Sequence, residues 1–218
     1  KKKKFREIKS FRNLEELKKL TKQHSYRVLK KDCLDLPDKI YNKHYVELTP
    51  EQNKLYKEMK KDALATLNDL ETVTANSVMT QLLRLHTMLC GFVKTDTDSI
   101  IDIKNNRLDA LLELISYNDN KVIIWANYVH NIKAIKEVLE KTYGGGSVVS
   151  YYGSTGLDDR KQAIELFQSQ ESDVRFFVGN QMTAGYGITL TSANNVIYYS
   201  NSYDLEKRLQ SEDRAHRT

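Results

Sequence analysis

Two prolines and nine glycines in 218 residues leave nothing from which to build a Pro-rich or Gly/Ser-rich linker, and no low-complexity tract follows Lys1–Lys4. Cysteine is equally scarce. Cys33 and Cys90 show neither C-x-x-C spacing nor an adjacent His cluster. That argues against a structural zinc site or a disulfide framework and fits a reducing cytosol. The longest unbroken apolar stretch, Val122–Ala126, is five residues, far short of the roughly 20 that cross a bilayer. No apolar signal-peptide region lies near the start. The expectation is a chain with no membrane partner and no metal ligand set.

The composition, 40% hydrophobic and 29% charged, supplies a core beneath a charged surface and argues against intrinsic disorder. The length suits one domain with a smaller helical piece, or two small domains. The net charge of +5 is unevenly spread. Residues 1–31 hold 13 of the 34 Lys and Arg but three of the 29 acidic residues, so the rest of the chain is net negative. A basic cluster of this kind neutralises nucleic-acid phosphates, or it is simply a solvated basic helix.

Texture divides the chain near residue 106. Upstream it is mainly helical. Thr49-Pro50-Glu51-Gln52 carries a capping-box signal with proline at the first helical position, predicting a helix with Leu55, Met59 and Ala63 on its buried side. Lys39–Leu48 alternates through Ile40, Tyr45, Val46 and Leu48 and predicts a strand. Val78, Leu82, Leu85 and Leu89 recur at helical spacing, and the polar stretch Lys94–Asn106 reads as a boundary loop. Downstream, apolar runs at 121–126, 147–151, 174–178 and 195–199 alternate with helices. Asn127 reads as the cap of the first helix and Thr155 as the opening of the second, with Leu157, Ile164 and Phe167 buried. Strands apolar on both faces between helices predict a parallel α/β sheet.

Three segments of this second region carry candidate chemistry. In Gln210-Ser211-Glu212-Asp213-Arg214-Ala215-His216-Arg217, a continuous helix places Gln210, Arg214 and Arg217 on one face. Two neighbouring guanidinium groups repel unless an anion lies between them, and a polyphosphate suits their planar forks. The simpler reading is a solvated face paired with Glu212 and Asp213. Gly185-Tyr186-Gly187, with Asn180, Gln181 and Thr183 before it, follows a strand where an α/β sheet lets backbone amides approach a ligand. Tyr152-Gly153-Ser154-Thr155-Gly156 follows another strand, where helix N-terminal amides favour an anion. An ordinary turn explains either of these loops equally well.

In combination and order, Val122–Tyr128, Tyr152–Phe167, Thr183–Leu190, Asn195–Ser200 and Gln210–Arg217 resemble motifs IV to VI of the Swi/Snf-type ATPases of helicase superfamily two. Upstream, Tyr26–Asp32, Leu36-Pro37-Asp38-Lys39, Leu48-Thr49-Pro50-Glu51-Gln52 and Leu55-Tyr56 look like that family's segment entering its second lobe, and Gln81–Leu85 looks like the helix preceding that lobe's core. The closing Gln-x-Glu-Asp-Arg-Ala-His-Arg pattern is highly specific to it. The resemblance implies an α/β, RecA-like parallel sheet flanked by helices over 107–218, preceded by a mainly helical connector over 1–106. It implies that Arg214 and Arg217 reach ATP phosphates across an interlobe cleft, with Arg217 the first choice of arginine finger, and that Gln210 helps organise the cleft. Gly185 and Gly187 would lie beside the nucleotide, and Asn127, Ser154, Thr155 and Thr183 near a nucleic-acid backbone.

The implied cofactors are ATP and Mg2+, held mainly by an N-terminal RecA-like lobe of the same protein, and the implied partner is double-stranded DNA. No G-x-x-x-x-G-K-[ST] occurs in the chain, so this lobe by itself is not expected to hydrolyse ATP. Asn180-Gln181-Met182 replaces the family's Ser/Thr and basic residue, and Ala184 replaces a third glycine. Two other readings are a non-catalytic nucleic-acid-binding or regulatory module and a sugar- or nucleotide-binding transferase domain. The latter leaves the paired arginines unexplained. The Lys-, Asn- and Ile-rich usage resembles phage and bacterial proteins, implying a cytoplasmic setting, or a nucleus for a eukaryotic source.

Overall fold

Helix periodicity dominates the first half of the chain, beginning with α1 (Leu14–Lys22) and the single turn α2 (Lys30–Cys33). Both belong to one compact unit, Lys1–Lys39, and everything that follows to a second, Ile40–Arg217. The computed structural model describes residues 10–26, 28–68, 75–95, 97, 99–117, 119–184 and 187–217. In α1, Leu14, Leu17 and Leu20 are exposed, and Lys18 pairs with Glu15 one turn away at 2.7 Å.

In the second unit, residues 41–49 carry no strand despite their alternation. Ile40 and Tyr45 are exposed, while Val46 and Leu48 are half-buried, and without a neighbouring ladder an extended segment does not become a strand. The capping box is as expected. Gln52 N donates to Thr49 Oγ1 (3.2 Å) and Thr49 N donates to Gln52 Oε1 (3.3 Å), opening α3 (Pro50–Asn68). Leu55 and Met59 are half-buried there, and the side chain of Ala63 lies outside the described residues. Helix α4 (Ala75–Leu89) packs against α3.

The stretch read as a boundary loop is instead a hairpin, β1 (Phe92–Lys94) paired antiparallel with β2 (Ile100–Asp102). Thr95 N donates to Ser99 O (2.8 Å), and Ser99 N returns to Thr95 Oγ1 (3.1 Å). The turn chemistry was legible, but three-residue strands are too short to display a period.

Then come α5 (Arg107–Ser116), β3 (Val122–Trp125), α6 (Val129–Tyr143), β4 (Val148–Tyr151), α7 (Leu157–Gln168), β5 (Phe176–Gly179), α8 (Gln181–Ala184), β6 (Asn195–Tyr198) and α9 (Leu205–Glu212). Strands β3 to β6 form one parallel sheet in the order β4-β5-β3-β6. Alternation assigns its two faces. Val122, Ile124, Phe176 and Val178 meet Leu111 and Ile115 of α5 and Ile132, Ile135 and Leu139 of α6. Ile123, Trp125, Tyr151 and Phe177 meet Phe167 of α7 with Ala184, Ile188 and Leu190. Each wholly buried Ile, Leu or Phe stabilises the lobe by about 1.5–3 kcal/mol. Gly144, at φ 98°, ends α6 in a conformation that penalises a Cβ. Leu157, expected in the core, is exposed on the first turn of α7.

Polar contacts tie the helical pair together and to the sheet domain. Gln52 Nε2 of α3 donates to Met88 O of α4 (3.1 Å), Asn131 Nδ2 of α6 donates to Cys90 O at the end of the pair (2.9 Å), and within the sheet domain Arg107 Nη1 donates to Tyr199 O (2.6 Å). Buried groups satisfied in this way hold their geometry, because breaking one leaves a desolvated partner behind. Among the described residues no helix is long and apolar enough to cross a membrane.

Candidate functional site

Because the four strands run parallel, their carboxyl ends share one edge of the sheet, and the loops leaving that edge carry the sequence-predicted contacts. Asn127 leaves β3, Ser154 and Thr155 leave β4, and Thr183 leaves β5 through α8. These three strands are adjacent. Asn180 stitches two of the ends together. Its Nδ2 donates to Asn127 O (2.7 Å), and its Oδ1 accepts from Met182 N (2.8 Å). From the other side Asn127 N donates to Ser200 Oγ (2.8 Å). Asn127 is therefore not the helix cap. Tyr128 occupies that position, with no side-chain cap bond.

After β4, Thr155 N donates to Tyr152 O (3.0 Å), and Thr155 Oγ1 accepts from Tyr152 N (3.1 Å). This closes a turn one residue before Gly156, the actual N-cap of α7. Thr155 thus shapes the turn rather than opening the helix. Ser154 is exposed and Thr183 half-buried. Asp158 and Asp159 occupy the first turn of α7, so the positive end of its dipole already has local carboxylates.

Gly185 lies outside the described residues. Gly187 is exposed, with φ at 72° and open space where a Cβ would stand, so its requirement is conformational rather than spatial. The chain then dives back into the core at Ile188 and Leu190.

Helix α9 opens on Asp204, whose side chain accepts from Lys207 N (3.2 Å). Hydrogen bonds from Lys207 hold that carboxyl below its ordinary pKa. The helix stops at Glu212, with Asp213 as C-cap. Gln210, Arg214 and Arg217 consequently do not share the face of one continuous helix. Residues 188–190 claim the chain instead: Leu190 N donates to Arg214 O (2.9 Å), and Arg214 Nη1 donates to Ile188 O (3.1 Å). Arg214 Nε also donates to Gln210 O (3.1 Å).

Arg214 is buried, at 7% exposure. Burial, and then the charge of Arg217, lower its pKa from the usual guanidinium value, with Asp213 acting the other way. The two guanidinium groups are thus electrostatic neighbours in different states. Arg214 is committed within the lobe, whereas Arg217 is exposed and has no ion pair among the described residues. Gln210 Nε2 donates to Glu206 Oε1 (2.9 Å), but its buried Oε1 has no partner among the described residues. Among the described residues no three His, Cys, Asp or Glu side chains cluster as metal ligands.

Several residues at this edge have partners that the sequence did not indicate, and Glu212, expected on a solvated face, is one of them. Glu212 is buried, its carboxylate accepting from Arg208 Nε and Tyr41 OH, both at 2.7 Å. Tyr41 is 171 residues away in sequence, and no periodicity announces such a partner. Arg208 also lies over the Tyr198 ring, 3.3 Å from its centroid. Arg160 donates from Nη2 to Tyr152 O (3.2 Å) and Gly153 O (2.8 Å). His86 Nδ1 lies 2.7 Å from Tyr128 OH. Burial and then Arg107 push the imidazole pKa down, while burial foremost pushes the Tyr128 phenol up to about 12.

A parallel α/β lobe of RecA type, with its polar loops on one sheet edge and an arginine segment beyond its last helix, is thereby defined. Residues 104–218 match the model of the helicase conserved C-terminal domain. The chain belongs to that family and is the C-terminal lobe of a Swi/Snf-type ATPase of helicase superfamily two. It is 29% identical over 214 residues to the uncharacterized ATP-dependent helicase MG018 of Mycoplasma genitalium, covering 94% of this chain and 20% of that protein. It spans only about a fifth of the length of the curated relatives it matches. Among solved structures, the Sulfolobus solfataricus SWI2/SNF2 ATPase core in complex with dsDNA is 29% identical, with TM-score 0.61, over 93% of this chain and 44% of that one. The C-terminal part of the Fun30 ATPase domain has TM-score 0.66 at 20% identity, over 84% and 81% of the two chains. At that identity the likeness is one of fold.

Proposed function

We propose that this chain is the second motor lobe of an ATP-dependent double-stranded-DNA translocase, with residues 107–218 as the lobe and 1–106 as its connector. ATP binds between it and an N-terminal RecA-like lobe of the same protein. That partner lobe supplies the lysine and the Mg2+-holding carboxylate, so this lobe alone does not turn over. The observation that carries the reading is the exposed Arg217, a cation without an ion pair among the described residues, next to a buried Arg214. An anion is the natural partner for such a charge, and a guanidinium fork stabilises charge developing on a transferring phosphoryl group.

The two arginines divide the work. Arg217 acts as the finger, while Arg214, bonded to Ile188 O and Gln210 O, holds the segment that presents it. Gln210, whose buried Oε1 has no partner among the described residues, faces a polar neighbour in the assembled cleft, and Gly187 lets the chain turn beside the nucleotide, where the family pattern also puts Gly185. On the sheet edge, Asn127, Ser154, Thr155 and Thr183 contact the DNA backbone. Thr155 Oγ1 accepts from Tyr152 N, which leaves its O–H free to donate. Hydroxyl and amide contacts to phosphate track a duplex without reading bases.

The test is ATP hydrolysis by this chain joined to its N-terminal lobe, with and without duplex DNA, comparing the parent with Arg217→Ala. Turnover is expected to fall by roughly 10³ to 10⁵. DNA-stimulated turnover equal to the parent's removes the finger assignment.

A further inference from the structure

At the carboxyl edge, Arg160 bonds back into a turn already assigned a contact role. Its Nη2 donates to the carbonyls of two consecutive turn residues, Tyr152 (3.2 Å) and Gly153 (2.8 Å). Its guanidinium carbon sits 5.3 Å from the centroid of the Tyr151 ring, at the end of β4. Its Nε is buried without a hydrogen-bond partner among the described residues. The side chain is therefore wedged between the last strand residue and the turn. The turn's own bonds, Thr155 N to Tyr152 O and Tyr152 N to Thr155 Oγ1, leave Gly153 and Ser154 exposed. Neither backbone N–H of those two residues has a partner among the described residues.

We infer that Arg160 is a positioning residue for the Ser154–Thr155 contact: by clamping the Tyr152 and Gly153 carbonyls it fixes the turn whose free amides and hydroxyls meet a duplex phosphate. The inference rests on the DNA-backbone reading given above. The physical reason is pre-organisation. Gly153 and Gly156 flank the two hydroxyl residues, and glycine loses more conformational freedom on ordering than any other residue. Without a clamp, the turn loses that entropy when the ligand binds. Both bonds leave one nitrogen, Nη2, whose N–H directions are fixed by the guanidinium plane lying against the Tyr151 ring; a lysine ammonium keeps the charge but has neither that plane nor that fixed direction. No separate sequence motif signals this. Arg160 lies four residues after Gly156, where its own N–H donates to Gly156 O (2.9 Å) as an ordinary first-turn helix bond.

The role is separable from direct phosphate binding, because a lysine keeps the charge and loses the clamp. The experiment measures anisotropy of a short fluorescein-labelled DNA duplex titrated with the whole chain at several salt concentrations. The proteins are the parent, Arg160→Lys, Arg160→Gln, the double variant Ser154→Ala/Thr155→Ala, and that double variant carrying Arg160→Lys. Thermal unfolding and amide hydrogen exchange at Gly153 and Ser154 are followed in parallel.

The expected result is that lysine and glutamine weaken binding alike, by about tenfold, with the salt slope unchanged. Exchange at Gly153 and Ser154 should quicken while the core remains protected. Adding Arg160→Lys to the double alanine variant should cost less than it does in the parent, since only the amides of Gly153 and Ser154 are then left for the clamp to present. Recovery of affinity by lysine, together with a flatter salt slope for glutamine, marks a direct phosphate contact and overturns the inference. So does parent-like binding by both Arg160 variants while the double alanine variant binds weakly. If the double alanine variant binds as the parent does, or the parent does not bind duplex at all, the DNA-backbone reading itself is overturned.

Discussion

Replacing Arg214 with alanine should unfold this lobe more readily, whereas the same change at Arg217 should not. Arg214→Ala removes two hydrogen bonds from a charged donor, to Ile188 O and Gln210 O, and strands the Ile188 carbonyl. Bonds to charged groups contribute roughly 1.5–3 kcal/mol each, but the desolvation evident in the lowered pKa of this guanidinium offsets part of that. The net loss is expected at about 2–4 kcal/mol. For a unit of this size that corresponds to a fall in Tm of about 5–12 °C.

Arg214→Lys should recover less than half of the loss, because a single ammonium cannot occupy the two nitrogen positions, Nε and Nη1, from which the guanidinium reaches the two carbonyls. Arg217, exposed and without an ion pair among the described residues, should change stability by less than about 0.5 kcal/mol as alanine. Urea unfolding of the three variants followed by circular dichroism decides the matter. A loss below about 1 kcal/mol for Arg214→Ala, or an equal loss at Arg217, refutes the assignment of one arginine to the fold and the other to the cleft.

Two further predictions concern ionisable groups. Burial pushes the phenols of Tyr128 and Tyr199 up to about 12 from an ordinary 10.0. Because the folded state holds these protons more tightly, their contribution to stability is intact below pH 10 and lost as the pH climbs towards 12. Urea midpoints measured across that window should therefore fall, and Tyr199→Phe should flatten the fall; an unchanged slope in the variant contradicts the burial argument. The cysteines should differ sharply in reactivity. Cys33 is exposed, while Cys90 is buried with its thiol pKa raised, chiefly by desolvation. Iodoacetamide under native conditions is expected to label Cys33 within minutes and Cys90 only after denaturation, as read by peptide mass spectrometry. Equal labelling of both would place Cys90 outside the core.

Residue type and spacing determined a good deal by themselves. The capping box at Thr49–Gln52, the four apolar runs and the alternation of strand with helix are local patterns, so the parallel α/β class and most helix positions could be read from them. The family pattern of Gln210–Arg217 is legible for the same reason: it lies within one short segment. Local rules failed wherever a distant group outcompeted a neighbour. Asn127 resembles a cap, yet Asn180 and Ser200 take its backbone, and Tyr128 occupies the cap position instead. Tyr45 and Ile40 alternate like a strand but have no ladder to join.

The arginine pair shows the division most clearly. A helical projection puts Arg214 and Arg217 on one face, but α9 ends at Glu212 because the carbonyl of Ile188 and the amide of Leu190 capture Arg214. Sequence could thus nominate both guanidinium groups for an anion. Only the folded chain, by bringing residues 188–190 against residue 214, decided which of them is buried in the lobe and which is left facing outward. Short-range periodicity encodes elements, whereas burial and hydrogen-bond competition belong to pairs of residues that meet only after the chain has closed.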